Sequence, residues 1–211
     1  MSKLAKLIGV LIAYNEEVLL PDCLASIYGK VDEIIMVEGR IADYPGDSPH
    51  STDNTVAIAK EYGATVIQID RAWNNECEMR SAYLVGNEGD VYFQIDADER
   101  LMTPLPRPEQ LPGDSYKVSI RMIGAPIEGY RPRFFRHKGE MIYRGVHDAL
   151  FSDGKLISTP KNTPALHSVW LAHRQILRDK NRRANKAHYY RIGYTHEHEI
   201  RTEWDMYNDK T

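Results

Sequence analysis

The sequence predicts an α/β protein: a mostly parallel sheet flanked by helices, with a mixed-strand extension after residue 100. Three observations predict it. Apolar runs of strand length recur at residues 6–14, 32–38, 64–69 and 91–95. Between them, Leu24 and Ile27, then Val56, Ala57, Ala59 and Tyr62, keep helical spacing, and Gly29 and Gly63 stand where such helices stop. The first, second and fourth runs lead straight into carboxylates, which makes one edge of the sheet polar. Strands alternating with helices in this rhythm pair in parallel and carry helices on both faces.

Taken in order, Lys3 and Lys6 ahead of LIGVLIA resemble the opening of a secretory signal, but Asn15, Glu16 and Glu17 follow with no small-residue cleavage site. The run is therefore read as a buried strand. Glu16 and Glu17 are expected to open the next helix, where they oppose the positive end of its dipole. DEIIMVE, residues 32–38, gives a second strand ending at Glu38. The loop GRIADYPGDSPH follows, and Ser51 or Thr52 is the expected cap of the next helix. ATVIQI is the third strand. VYFQIDADERL, residues 91–101, is the centre of the chain: Val91, Tyr92, Phe93 and Ile95 suit a strand buried on both faces, ending in Asp96, Asp98 and Glu99.

After residue 100 the rhythm changes. TPLPRPEQLPGD holds four prolines, too many for a helix. SYKVSIRMI, YRPRFFRHK, MIYRGVHDALF and GKLIST then read as short strands joined by glycine-containing turns. A basic helix is expected from about Trp170 to Ile192, with Arg174, Arg178, Lys180, Arg182, Arg183, Lys186 and Arg191 around it. Such a charge run suits a solvated face, a diphosphate, an anionic lipid surface or a nucleic acid. No linker separates two domains, so residues 1–211 are expected to form one.

Composition bounds the function. A net charge of −3 argues against a surface built throughout for nucleic acid. Cys23 and Cys77 stand alone, without disulfide or zinc spacing, which favours a reducing, cytoplasmic setting. No apolar run approaches bilayer-spanning length, so membrane contact, at the inner face, would be peripheral.

Three carboxylates at the mouth of an apolar strand are costly unless something positive neutralises them. A solvated turn is the plainer reading. The chemical one is a divalent cation, Mn2+ or Mg2+, because hard oxygen ligands suit it and it bridges to phosphate oxygens. Ligands of open α/β sheets settle at the carboxyl ends of strands, where this cluster lies.

Four separated patterns then converge. AYNEE at 13–17, a carboxylate-ended second strand followed by STDNT at 51–55, a helix bearing Arg80, and DADE at 96–99 together resemble family 2 glycosyltransferases of GT-A fold. The small bacterial branch that builds lipopolysaccharide cores is the most similar. The likeness extends more loosely to GVHDALF at 145–151 and ALHS at 165–168. It implies a nucleotide-sugar-binding half over residues 1–100 and an acceptor-side half over 101–211.

The resemblance implies roles residue by residue. Ala13, Tyr14 and Glu16 would line the nucleotide, Arg80 would face the donor, and Asp96 with Ala97 would meet the ribose or, through water, the metal. Asp98 would ligate the cation, with Asp96 and His167 completing its shell. Glu38 stands where the family has an aspartate that reads the nucleobase, and the family's compact Asp-Gly-Ser turn is replaced by residues 39–50. The implied activity is metal-dependent transfer of a sugar, with a uridine diphosphate sugar the expected donor, to a hydroxyl on a glycan, lipid, protein or modified nucleic acid base, with inversion. The cation acts there as Lewis acid and template for the leaving diphosphate. Asp148 is the expected general base, with His147 beside it as second choice. A homo-oligomer is compatible with this reading. Two rivals stand beside it. One is a degenerate fold that binds an anionic partner through the basic helix, and the other is a D-x-D phosphatase, whose motif has threonine where Arg100 stands here.

Overall fold

The computed structural model describes residues 4–124, 128–145, 149–159 and 161–174 and the single residues 177, 180 and 184. The first hundred residues build β1 (Leu7–Ala13), α1 (Leu20–Ile27), β2 (Glu33–Glu38), α2 (Thr55–Glu61), β3 (Thr65–Ile67), α3 (Glu76–Ser81) and β4 (Val91–Gln94). There follow β5 (Glu99–Leu101), β6 (Ser115–Met122), β7 (Glu128–Arg136), β8 (Met141–Tyr143), β9 (Leu150–Ser152), β10 (Lys155–Ser158) and β11 (Ala165–His173). The proline-rich segment before β6 forms a single 3-10 turn at Pro108–Gln110.

The large sheet has the order β3-β2-β1-β4-β7-β6-β11-β5. From β3 to β4 every pairing is parallel, as the alternating pattern requires. β7 then runs antiparallel between β4 and β6, β11 is parallel to β6, and β5 closes the edge antiparallel to β11. A second sheet, β10-β9-β8, is the rest of the mixed extension. The expected α/β class with a parallel sheet and a mixed extension is thus the observed one.

Alternation along β1 explains its double burial. Leu7 and Leu11 join a cluster with Leu20, Leu24 and Ile27 of α1, Ala59 of α2 and Phe93 of β4. Ile8 and Val10 face the other way, onto Met79 of α3, Tyr83 and Tyr92. Each fully buried side chain of this size contributes about 2 kcal/mol of transfer free energy. Gly9 sits where α1 comes nearest: a Cβ there would lie 3.1 Å from Ile27 Cδ1.

Three local expectations are corrected. α1 begins at Leu20, not at Glu16 and Glu17. Asn15 is left-handed, with φ of 52°, which interrupts a right-handed run, and Pro21 suits a first turn. Neither Ser51 nor Thr52 caps α2: Asn54 holds the cap position without a side-chain cap bond, and Asp53 Oδ1, one residue earlier, accepts from Thr55 N at 3.0 Å. The helix expected from Trp170 is strand through His173, because Val169 and Leu171 alternate as buried residues while Trp170 to His173 pair with β6 and Leu171 to His173 with β5. The rest of that basic segment, apart from residues 174, 177, 180 and 184, lies outside the described residues. Among the described residues, no helix is long and apolar enough to cross a membrane.

Candidate functional site

The parallel strands end together at the edge where the sequence concentrates its carboxylates. Ala13 and Glu38 are register partners at the ends of β1 and β2, and Asp96 and Asp98 follow β4 directly. The chain reverses there: Glu99 N donates to Asp96 O at 2.8 Å, and Asp96 N donates to Glu99 Oε2 at 2.9 Å. This turn sends the chain away from β4 into β5, so the 91–101 stretch is two strands with the acidic residues at the break.

Asp98 is fully buried. Its Oδ2 lies 3.0 Å from His173 Nε2, and its carbonyl accepts from Arg174 N at 2.8 Å. The Arg174 guanidinium reaches on to Asp22 Oδ2 at 2.7 Å and Leu19 O at 2.9 Å, fastening the acidic turn to the start of α1. Burial works against a charged His173, but the Asp98 hydrogen bond and the surrounding carboxylates outweigh it and raise the imidazole pKa.

Asp96 stands between two buried arginines. Arg80 Nη2 donates to its Oδ1 at 3.1 Å and Arg133 Nη2 to its Oδ2 at 3.0 Å. Arg80 also pairs with Glu76 at 2.7 Å, one helical turn back, and Arg133 with Glu99 at 2.7 Å. Gln94 turns its carboxamide oxygen to both guanidiniums, accepting from Arg133 Nη1 at 2.7 Å and Arg80 Nη1 at 2.8 Å. Buried ions persist only when paired and hydrogen-bonded, and Glu76, Asp96 and Glu99 supply the compensation. Burial opposes the charge on both arginines, yet these carboxylates raise their pKa values. Glu99 goes up as well, pushed by burial and held back by Arg133.

The other end of the edge is stitched through backbone groups. Asn15 N donates to Ser51 Oγ at 2.8 Å, Glu16 N to Thr55 Oγ1 at 2.6 Å, Glu17 N to Asp53 Oδ2 at 3.1 Å, and Thr52 N to Asn15 Oδ1 at 2.7 Å. AYNEE and STDNT are therefore one interlocked unit. Tyr14 is half-buried, its hydroxyl donating to Ser48 O at 3.1 Å and its ring edge-on to Tyr44. Glu16 and Ala97 are buried. Glu38, also fully buried, accepts from Ser51 N at 2.6 Å and Gln68 Nε2 at 2.7 Å, with His50 Nδ1 at 3.3 Å.

Ala13, Tyr14, Glu16, Glu38, Arg80, Asp96, Ala97 and Asp98 thus share one edge of the sheet. His167 lies elsewhere. It is exposed near the start of β11 with its Nδ1 3.2 Å from Tyr130 Oη, six residues and on the order of 20 Å of strand from His173. His147 and Asp148 lie outside the described residues. Two residues of the site were missed by the sequence reading: Arg133, the middle of three arginines in RPRFFR, and His173. Period-two alternation from Val169 and Leu171 would have put His173 on the buried side.

Among the described residues, no three His, Cys, Asp or Glu side chains converge as a ready cation site. The donor set nevertheless fits a divalent cation that arrives with a phosphate. Asp98 and His173 supply one oxygen and one nitrogen at the same point, and such cations are commonly held by one or two side chains plus substrate phosphates. Asp96, gripped by Arg80 and Arg133, fits a place behind those ligands better than among them.

No known family model matches the chain. A curated TPR repeat-containing protein of Synechococcus elongatus is 28% identical over 154 residues, 69% of this chain and 35% of that protein. The chain thus spans about a third of that relative's length. Solved structures with partial overlap include S. aureus TarS 1–349 in complex with UDP-GlcNAc, at TM-score 0.42 and 19% identity over 57% of this chain and 36% of that one. Another is glucosyl-3-phosphoglycerate synthase from Mycobacterium tuberculosis with Mn2+, UDP and glucosyl-3-phosphoglycerate, at TM-score 0.39 and 24% identity over 56% and 44%.

Proposed function

We propose that this chain is a divalent-metal-dependent glycosyltransferase of GT-A architecture, using a nucleoside diphosphate sugar and expecting uridine as the nucleoside. The observation that carries the reading is the pairing of Asp98 with His173 at the carboxyl end of β4, beside an Asp96 held by two buried guanidiniums. That is a cation corner at the edge where parallel sheets take their ligands.

The interlocked loops at 13–17 and 51–55 make a fixed floor for the nucleoside. Asp98 and His173 would hold Mn2+ or Mg2+, which supplies charge neutralisation and orientation for the diphosphate leaving group. Arg80 and Arg133 keep Asp96 in one orientation, so its exposed edge stands as a hydrogen-bond acceptor for a donor hydroxyl. Asp148, with His147 second, is the residue assigned to take the acceptor hydroxyl's proton as it attacks the anomeric carbon in a single inverting displacement. Gly145, the last described residue before that segment, accepts from Cys77 Sγ of α3 at 3.4 Å, one turn from Arg80.

The test is release of nucleoside diphosphate from a panel of nucleotide sugars with and without Mn2+. Release that depends on Mn2+ in the wild type and falls at least about a hundredfold in Asp98→Asn, with the fold retained by circular dichroism, supports the reading. Release indifferent to chelator, or undiminished in Asp98→Asn, overturns it.

A further inference from the structure

We infer that Gln68, locked in one orientation by Glu38, reads the nucleobase and selects one that carries a ring imino N–H. The inference rests on the nucleotide-sugar reading above and concerns the far end of the same edge.

The Glu38 carboxylate is wholly buried at the end of β2, and both of its oxygens are engaged within the protein. Ser51 N donates to Oε1 at 2.6 Å, while Gln68 Nε2 donates to Oε2 at 2.7 Å with His50 Nδ1 alongside at 3.3 Å. Trp73 Nε1 donates to the carbonyl of Glu38 at 3.0 Å and fixes its backbone as well. A glutamate so covered does not meet a base. It acts on the residues laid over it.

Gln68 is exposed and follows β3 directly, at the same polar edge as Asp96 and Asp98. β3 and β4 are separated by β2 and β1, so three strand spacings, about 14 Å, divide the two corners. An extended nucleoside diphosphate bridges such a span with its phosphates at the cation corner and its base here. A carboxylate only accepts hydrogen bonds, so Gln68 must point its Nε2 inward and its Oε1 outward. The His50 ring, with Nδ1 also 3.3 Å from Gln68 Nε2, flanks the carboxamide and holds it upright.

An outward carbonyl oxygen accepts from N3–H of uracil or N1–H of guanine. Cytosine N3 and adenine N1 are themselves acceptors, and two facing lone pairs repel. The corner therefore discriminates by hydrogen-bond polarity. The longer side chain at position 38 and the loop 39–50, from which His50 comes, are what place the lock.

The experiment is binding of UDP, GDP, CDP and ADP to the full chain with Mn2+ by titration calorimetry. The expected result is that UDP or GDP binds at least about tenfold more tightly than both CDP and ADP, the effect of one well-made hydrogen bond. Gln68→Met, an exposed substitution that keeps the shape, should bring these affinities within about threefold. Glu38→Gln should relax the discrimination with Gln68 intact, because a carboxamide beneath it accepts either orientation; its fold is checked by thermal melting. Equal binding of CDP or ADP and UDP by the wild type, or undiminished discrimination in Gln68→Met, overturns this inference while leaving sugar transfer standing. Failure of every nucleoside diphosphate to bind overturns both.

Discussion

The two ends of the polar edge are built by different physics. At the β1–β2–β3 end, backbone N–H groups of the first loop dock onto side-chain oxygens of the second, from Asn15 N to Ser51 through Glu17 N to Asp53. These bonds are local to two neighbouring connections and mostly neutral. At the β4 end the site is made of charged groups, buried except for the half-buried Asp96 and His173, drawn from α3, β7, β11 and the turn itself: Arg80, Arg133, His173, Asp96, Asp98 and Glu99. A neutral hydrogen bond nets about 1 kcal/mol, whereas breaking one partner of a buried ion pair costs about 3–5 kcal/mol. The β1–β2–β3 end is therefore expected to tolerate variation in these bonds that the β4 end does not.

That contrast can be broken experimentally. The largest effect is expected from the two histidines of β11. His173→Ala should lower Mn2+-stimulated diphosphate release at least about a hundredfold, since even groups behind metal ligands account for tenfold to a hundredfold. His167→Ala, exposed against Tyr130 near the start of the strand, should stay within about twofold. Equal losses in both would erase the distinction between the two ends of β11.

Arg133 sharpens the comparison in stability. Arg133→Met leaves Glu99 without its buried partner and should cost about 3–5 kcal/mol, read as a fall in denaturation midpoint. Combining it with Glu99→Gln should restore part of the loss, because the neutral amide needs no cation. If the double variant is as unstable as the single, packing rather than charge is what Arg133 contributes.

The smallest effect belongs to Glu78, away from both corners. Its carboxyl is held below its ordinary pKa chiefly by Arg71, with burial opposing and Asn74 N also donating. A depressed folded-state pKa adds stability above the unfolded value near 4.5 that is lost as pH falls through the lowered folded value. Glu78→Gln should flatten that acidic limb and change little at neutral pH, as befits a partly exposed pair. The melting temperature between pH 2 and pH 7 measures it, and a large neutral-pH loss would contradict the assignment.

Much of the fold was legible because apolar periodicity is a local property. The β1 to β4 rhythm, the break at the prolines and the short strands after it all follow from spacing within a dozen residues. The site was legible in part: Asp96, Asp98, Arg80, Glu38 and the loop at 13–17 do meet at one edge. Glu38 differs in detail, since its carboxylate is consumed by Ser51, Gln68 and His50. At SVWLAH both a helix and a strand satisfy local pattern, and only the flanking β6 and β5 decide between them.

By itself the sequence determined where β1 to β4 form and that several of these strands end in acid, since burying apolar side chains within a short run needs no knowledge of distant residues. Tertiary structure alone decided which charges meet. Arg133 reaches Asp96 across 37 positions and His173 reaches Asp98 across 75. A buried ion is tolerated only where the chain returns with its counter-charge, and the order in which β7 and β11 join the sheet brings that about.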